Sequence, residues 1–289
     1  MFKFPFGLFS RFTLIIRPEL FSYNHKPPHE INMKKLYFAH LIQASDLPSK
    51  LEKHSAFYKD AFYIKASIPA NEQSTDSRLP IYYEVLGEGF VLYEGTPPVN
   101  VDKSTSITIL AYNAHKAQND SEDNYAASLQ DKLGEISKQL RNSDSLSKED
   151  EIIKRVCDLE IIIDGKGIAL KSSNAYEVKL ASILAVAMAY KIKAVEYCQK
   201  MNDKNPLAIF EILKKVKEFN SKYYFANPIN PQRNQAYKLW PLIANTYDVG
   251  EYHAKMLENA NITNSNTSLI VTALALIVAA LTLIEALLS

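Results

Sequence analysis

Cysteine is scarce in this sequence, and neither sign of charge is in excess. Only Cys157 and Cys198 occur among 289 residues, which excludes a disulfide framework and a multi-cysteine metal site. The two thiols are predicted to be reduced and buried, in a cytosolic compartment. Lys and Arg number 33 against 32 Asp and Glu, a formal charge of +1. Because nucleic-acid binders carry a basic excess, no nucleic-acid partner is expected.

Linear motifs for catalysis and metal binding are missing as well. The chain has no HExxH, GxSxG or DxD pattern and no Cys/His pair with zinc spacing. His25 and His29 are four positions apart, but Pro27 and Pro28 forbid the helix that would align them as ligands. The sequence therefore predicts no catalytic, cofactor-binding or metal-ligating residue, and it favours a protein that is not an enzyme.

What the sequence does contain is one long apolar run. Residues 269–284 read LIVTALALIVAALTLI without a charge, and twenty helical residues rise about 30 Å, the thickness of a bilayer's hydrocarbon core. We therefore predict a transmembrane helix over residues 268–288. With no convincing signal peptide before it, the charged body is expected on the cytoplasmic side, in a tail-anchored layout. Glu285, within a turn of the end, is expected to reach the membrane interface.

Small residues follow one stripe of this helix at spacings of three and four. In lipid, small side chains let two helix backbones approach closely. The stripe predicts self-association or pairing with another membrane helix, in addition to contact with the lipid bilayer; simple tolerance of Ala and Thr is the alternative. The helix-packing residues are Thr272, Ala275, Ala279, Thr282 and Ala286.

The first 32 residues are set apart from the body. Six of the thirteen phenylalanines lie within the first 21 positions. Three interpretations stay open: a dispensable extension, an interfacial segment that touches a membrane, and a poor signal sequence. Met33 begins a second natural start, so translation from Met1 and from Met33 are both compatible with the sequence.

Residues 33–118 carry the signals of a β-rich part. Aromatic and β-branched side chains are concentrated in short segments, as in strands. Residues 87–89 (GEG) separate two of these segments and predict a hairpin with a glycine-bearing turn. Residues 47–54 are predicted to form a short helix. Strands are expected at residues 35–41, 57–66, 81–86, 90–94 and 106–112.

Residues 119–262 are predicted to be mainly helical. Apolar side chains recur every three or four positions from Tyr125 to Leu140, which indicates an amphipathic helix. Residues 160–170 (EIIIDGKGIAL) interrupt the helices with a hairpin signal, and their GKG lacks the other residues of a phosphate-binding loop. Residues 180–189 are apolar all round but too short to span a membrane, so they predict a buried bundle helix.

The end of this helical part leads towards the membrane. Asn205 and Pro206 are a good N-terminal pair for a lysine-rich helix. Its basic face is predicted to be solvated, with contact to anionic lipid as the alternative. The aromatic residues from Tyr223 to Trp240 are expected to pack a helix junction. A last helix, residues 235–259, is predicted to continue through a flexible polar linker, residues 261–268 (NITNSNTS).

Together these segments predict an α+β fold: an N-terminal β-containing domain, a helical bundle and one C-terminal transmembrane helix. This layout and the stretch KYYFANPINPQRNQAYKLW (222–240) resemble CorA-type magnesium transporter relatives. The resemblance implies an oligomeric, membrane-anchored helical scaffold. The family's Gly-Met-Asn filter and its second span are absent here, so its ion-conducting residues have no counterpart in this chain.

Three hypotheses for function follow. The first is a non-enzymatic, single-pass membrane protein whose body is an interaction, sensing or effector module. The second is a membrane-tethered enzyme, which would need a deep pocket with convergent polar groups around His40 or His115. The third is a subunit of an oligomeric transporter, in which Glu285 would face a lumen.

Overall fold

The computed structural model describes most of the chain from residue 33 onwards. The described residues are 33–41, 43–53, 58–59, 64–67, 79–98, 101, 106–112, 133–140, 153–157, 159–171, 176–202 and 206–288. The interpretations of residues 1–32 and of His115 lie outside them, as do the side chains of Glu285 and Ala286. Within the described part the fold combines one mixed sheet with helices, so the α+β prediction is confirmed.

The described strands form one nine-stranded sheet in the order β2-β3-β4-β5-β1-β6-β9-β8-β7. Neighbours are antiparallel except β6 and β9, which run parallel. The strands after residue 150 therefore complete the sheet that begins at residue 33. The bounds are β1 (Met33–His40), β2 (Glu52–Lys53), β3 (Ile64–Ala66), β4 (Ile81–Val85), β5 (Glu88–Tyr93), β6 (Ile107–Tyr112), β7 (Ile153–Val156), β8 (Leu159–Ile163) and β9 (Gly167–Lys171).

Two predicted hairpins are present. Strands β4 and β5 are joined by Leu86 and Gly87, both with positive φ, the backbone that a tight two-residue hairpin turn requires. Strands β8 and β9 are joined through Asp164, whose Oδ1 accepts the backbone N–H groups of Lys166 and Gly167 at 2.6 and 2.9 Å. The GKG segment is therefore a β-turn.

Helices cover both faces of the sheet. Helix α2 (Tyr176–Lys200) packs on the face to which Leu36 and Phe38 of β1 point, and α4 (Asn234–Thr246) follows beside it. The described part of α1, residues 133–140, contacts Lys35 on the opposite face through Gln139. Helix α3 (Pro206–Glu218) ends in a π-helical turn (Phe219–Tyr223), and α5 (Val249–Leu288) is the last element.

Helix α2 is the buried centre of the fold. Residues 180–187 are almost without solvent exposure, as the all-round apolar pattern predicts. Helix α2 packs partly on the sheet. Tyr83 of β4 donates its hydroxyl proton to the Val178 carbonyl of α2 at 3.1 Å. The predicted aromatic junction is also present: Trp240 donates its indole N–H to the Ala226 carbonyl at 2.6 Å and packs edge-on against Tyr190.

Four local predictions were wrong. Residues 47–54 are not helical where they are described; they lead into the short strand β2. The last helix is divided, because the chain turns at Tyr247–Asp248, where Asp248 has a φ of 56°. Cys157 is exposed rather than buried. Residues 261–268 are helical rather than a flexible linker.

The polar segment is helical, and its hydroxyl side chains bond to the helix itself. Ser265 and Thr267 donate to the carbonyls of Asn261 and Thr263, four residues earlier, at 2.9 and 2.8 Å. Such bonds satisfy the hydroxyls without breaking the backbone ladder. One uninterrupted helix of 40 residues therefore connects the body to the apolar C-terminal run.

Candidate functional site

A cavity of about 620 Å³ lies between the sheet and helix α2. Its volume is within the range of small-molecule sites, about 300–1,000 Å³. The sheet contributes Phe38, Phe90 and Ile107 to its lining. The facing side of α2 contributes Met188, Ile192 and Val195. This apolar enclosure suits the hydrophobic part of a ligand.

The alternation of β1 explains why one histidine reaches this cavity. Side chains two apart on a strand share a face, so His40 lies on the same face as Leu36 and Phe38. The buried partners of that face pack under α2, whereas His40 is the last residue of the strand and lines the cavity at its edge. The ring of His40 lies 5.2 Å from that of Phe90, centroid to centroid.

A chain of ion pairs follows from His40 along the cavity edge. His40 Nε2 lies 2.9 Å from Glu88 Oε2, and the other oxygen of Glu88 lies 2.6 Å from Lys193 Nζ. Lys193 also pairs with Glu196 at 3.0 Å, and Glu196 with Lys200 at 2.5 Å. The cluster therefore ties β1 and β5 to helix α2 beside the cavity.

The positive groups of this cluster lower the pKa values of its two carboxyl groups. The hydrogen bond from His40, together with Lys193, lowers the pKa of the Glu88 carboxyl from its ordinary 4.5 to about 2, although partial burial opposes this. Partial burial raises the pKa of the Glu196 carboxyl, but the hydrogen bonds from Lys200 and Lys193 outweigh this effect and lower the pKa overall. Both carboxylates are charged at pH 7, and each has a lysine partner.

Two other lysines give the cavity a positive character. Lys166, in the β8–β9 turn, and Lys191, on α2, both line it. Neither has an acidic partner among the described residues. Lys191 lies instead over the ring of Tyr252, with its Nζ 4.5 Å from the centroid. An anionic group at the cavity edge would therefore meet two cations that are not already neutralised by acids in the described part.

The hydroxyl groups of the cavity lining have partners elsewhere. Ser106 is hydrogen-bonded to Tyr93, which belongs to the apolar cluster on the other face of the sheet. Tyr247 donates its hydroxyl proton to the Asp164 carbonyl at 3.4 Å. Both hydroxyl groups of the described lining thus bond to groups other than His40, and Glu88 orients His40 as a general base is oriented.

The cavity shares residues with the start of helix α5. Tyr247, in the α4–α5 turn, lines the cavity, and Lys191 reaches from the cavity to Tyr252 of α5. The next residue of α5, His253, stacks on Tyr224 with centroids 3.4 Å apart, and burial lowers the pKa of His253. The base of the long helix is therefore in contact with the residues that would touch a ligand.

The C-terminal part of α5 is the second candidate site. Among the described residues, this helix is the one with the length and composition to cross a bilayer. Seven of its large apolar side chains are more than half exposed: Leu269, Val271, Leu274, Leu276, Ile277, Val278 and Leu281. An apolar surface of this kind requires a lipid or protein partner. The structure is thus compatible with a single-pass membrane protein.

The sequence-predicted helix-packing residues lie on this surface and not at the cavity. Thr272, Ala275, Ala279 and Thr282 are all exposed, and the side chain of Ala286 lies outside the described residues. Thr272 and Thr282 donate their hydroxyl protons to the carbonyls of Ser268 and Ala279 at 2.9 and 2.8 Å. The stripe therefore presents methyl groups and backbone outwards, and its role in association stays a prediction.

Sequence reasoning named His40 as a pocket centre for the enzyme hypothesis but missed its partners. Glu88 is the first residue of strand β5 and Lys193 lies in helix α2, 105 positions apart, so no linear motif connects them. Lys191 also resembled an ordinary solvated lysine. The sequence contained only one indication of this site, a histidine at the end of an apolar predicted strand.

Comparisons with known proteins add no relative. No family model, no curated protein and no solved structure matches the chain. The resemblance to CorA-type transporter relatives accordingly stays a prediction. In the part of the chain that the structure describes, no three His, Cys, Asp or Glu side chains come together as metal ligands.

Proposed function

We propose that the chain is a C-terminally anchored, single-pass membrane protein whose body is a non-enzymatic sensing module for a small amphipathic anion. The observation that supports this proposal is the cavity of about 620 Å³, because Lys191 in its lining also contacts Tyr252 near the start of α5. In this proposal the apolar end of α5 crosses the membrane. The exposed, unpaired Cys157 supports a body in the reducing cytoplasm.

The chemistry of the lining suggests the class of ligand. An alkyl or aryl group would lie between Phe38 and Ile107 on the sheet and Ile192 on α2, where it loses its contact with water. A carboxylate, sulfonate or phosphate at the other end would pair with Lys166 and Lys191. Metal ions and organic cations are disfavoured because the acids beside the cavity already have lysine partners.

The route from ligand to membrane runs through Lys191. A ligand acts on a conformational equilibrium only through contacts that differ between the two states. An anion that attracts Lys191 weakens its contact with the Tyr252 ring, which lies 4.5 Å from Lys191 Nζ. Occupancy of the cavity would thereby loosen or reorient the start of α5, and the unbroken helix would carry the change to the membrane.

Calorimetric titration of the full-length protein in nanodiscs tests this proposal. Octanoate is expected to bind, and heptylammonium, which has the same alkyl chain, is not. Lys166→Gln and Lys191→Gln should each weaken octanoate binding at least about tenfold, since a charge-assisted hydrogen bond contributes about 1.5–3 kcal/mol.

Two further variants separate the cavity from the surface. Met188→Trp, which fills the cavity, is expected to abolish octanoate binding, whereas Ile262→Trp, at an exposed position of α5, should leave it unchanged. Equal binding of the anion and the cation, or binding that survives Met188→Trp, would overturn the proposed site.

One observation favours an enzyme as the second candidate. His40 lines the cavity and its Nε2 is bonded to Glu88, an arrangement that orients an imidazole for proton transfer. Such an enzyme would convert the amphiphiles recovered from purified protein. Mass spectrometry would then record a mass change with the wild type and none with His40→Gln, whereas a sensing module leaves the molecules unchanged in both.

A further inference from the structure

Helix α3 has two large apolar side chains on its solvent-exposed face. Ile212 and Val216 are buried and form the packed side of this amphipathic helix. Leu207 and Phe210 lie on the opposite side and are 79% and 63% exposed. Single exposed apolar residues are ordinary on a protein surface, but these two are one turn apart on the same face. They form an apolar tip at the N-terminal end of α3.

The direction of α3 places this tip. Phe219, directly after α3, lies beside His253 near the start of α5, with ring centroids 6.4 Å apart. Because α5 begins at Val249 and α3 packs along it, α3 must run antiparallel to α5.

Helix geometry then gives the height of the tip along α5. Leu207 precedes Phe219 by twelve positions, which at 1.5 Å per residue is about 18 Å. The same rise from His253 reaches residue 265 of α5. The exposed apolar run begins at Leu269, about 6 Å further. Since residues 261–268 are helical, no flexible linker intervenes, and for antiparallel axes residue 265 is the highest level along α5 that the tip reaches.

The charges behind the tip are mostly positive. Lys214, Lys215 and Lys217 are exposed and lie about 10–15 Å further from the apolar run than Leu207. The acids on α3 are Glu211, which is exposed, and Glu218, which pairs with Lys222 at 2.9 Å. Long lysine side chains reach several ångströms towards a charged interface. An apolar tip followed by lysines is complementary to anionic headgroups over acyl chains.

From these four observations we infer that Leu207 and Phe210 insert into the bilayer interface beside the anchor, while the lysines of α3 lie close enough to an anionic headgroup surface to be attracted to it. This second contact rests on the proposed membrane anchor and adds to it. A single helix lets the body swivel about its axis, whereas two contacts fix the tilt and rotation of the body. The cavity would then face a defined direction relative to the membrane.

Tryptophan quenching in nanodiscs tests the contact, with lipids brominated on their acyl chains as the quencher. The full-length protein carries Phe210→Trp, and the emission of the native Trp240 is subtracted with the parent protein. Phe210→Trp is expected to lose at least a third of its emission. Glu251→Trp, exposed at the start of α5 and about 27 Å from Leu269 along the helix, should lose almost none.

A third variant, Leu274→Trp, reports on the anchor itself. Quenching of Leu274→Trp but not of Phe210→Trp would overturn the inference and leave the anchor standing. Absence of quenching at both positions would overturn both. Blue-shifted but unquenched emission from Phe210→Trp that depends on protein concentration would assign the tip to a second copy of the chain instead.

Lipid composition tests the charge complementarity. Quenching of Phe210→Trp should increase when phosphatidylserine replaces about a third of the phosphatidylcholine, because an anionic surface attracts each nearby lysine. The double variant Lys214→Gln with Lys217→Gln should remove that increase. Equal quenching in both lipids would overturn the assignment to an anionic surface.

Discussion

Glu88 is the residue on which the cavity edge depends. Its two oxygens bond to His40 and Lys193 at 2.9 and 2.6 Å, so a single carboxylate connects strand β1 to helix α2. Its side chain is 17% exposed, and a partly buried charge is retained only with partners. Removal of the carboxylate charge would leave Lys193 with Glu196 alone.

The lowered pKa of Glu88 predicts how stability changes with pH. A carboxyl whose pKa falls on folding stabilises the native state above its ordinary pKa of 4.5, and this contribution is lost as the pH falls towards about 2. Glu88→Gln should therefore lower the free energy of unfolding by about 1 kcal/mol at pH 7, a value reduced by solvent screening. Thermal denaturation from pH 7 to pH 2 measures the difference, which should shrink below pH 4.5. A constant difference would contradict the assignment.

At the scale of elements, the parallel pair β6–β9 joins the two parts of the sheet. Gly167 opens β9 opposite Thr108 of β6, and helix α1 covers it on the other side. A Cβ atom at Gly167 would lie 2.5 Å from the Thr108 carbonyl oxygen and 2.6 Å from Leu140 Cδ2. Backbone cannot move aside as a flexible side chain can, so this position requires glycine for close approach.

Gly167→Ala is therefore expected to destabilise the protein by about 1–3 kcal/mol, because the added methyl group overpacks the strand pair. Gly165→Ala is the matched control two residues earlier, since a Cβ there meets nothing within 4 Å. Denaturant unfolding of the two variants gives the comparison. Equal midpoints for Gly165→Ala and Gly167→Ala would show that β6 and β9 do not approach in this way.

At the scale of the whole molecule, the proposed anchor has one face of small residues. Leu and Ile occupy the face opposite Ala275 and Ala279, and without water between helices only close packing drives their association. Self-association through this stripe is a prediction from the sequence, and a dimer formed in this way would have two anchors.

Crosslinking in bilayers tests the stripe. Ala275→Leu with Ala279→Leu should abolish a ladder of crosslinked oligomers, because two added side chains separate the backbones. Ile277→Leu with Leu281→Ile, which keeps the volumes on the opposite face, should leave the ladder intact. A monomeric wild type, or a ladder that the first pair does not alter, would exclude association through these residues.

Short-range signals explain which elements were predictable. The β4–β5 and β8–β9 hairpins were confirmed because turn chemistry and strand alternation lie within about 14 residues. Errors occurred where a tertiary contact or a side-chain bond outweighed local propensity. Residues 261–268 look like a linker by composition, yet their hydroxyls bond within the helix; residues 47–53 lead into a sheet edge that pairs with β3.

By itself, the sequence determined the α+β class, the hairpins and a C-terminal helix with the length and composition to cross a membrane, because these depend on composition and periodicity within one segment. Only the tertiary structure decided the site. His40, Glu88 and Lys193 lie on three different elements, and the outward face of Leu207 matters only because α3 runs antiparallel to α5. Contacts between distant segments depend on strand order and helix direction, which no local pattern specifies.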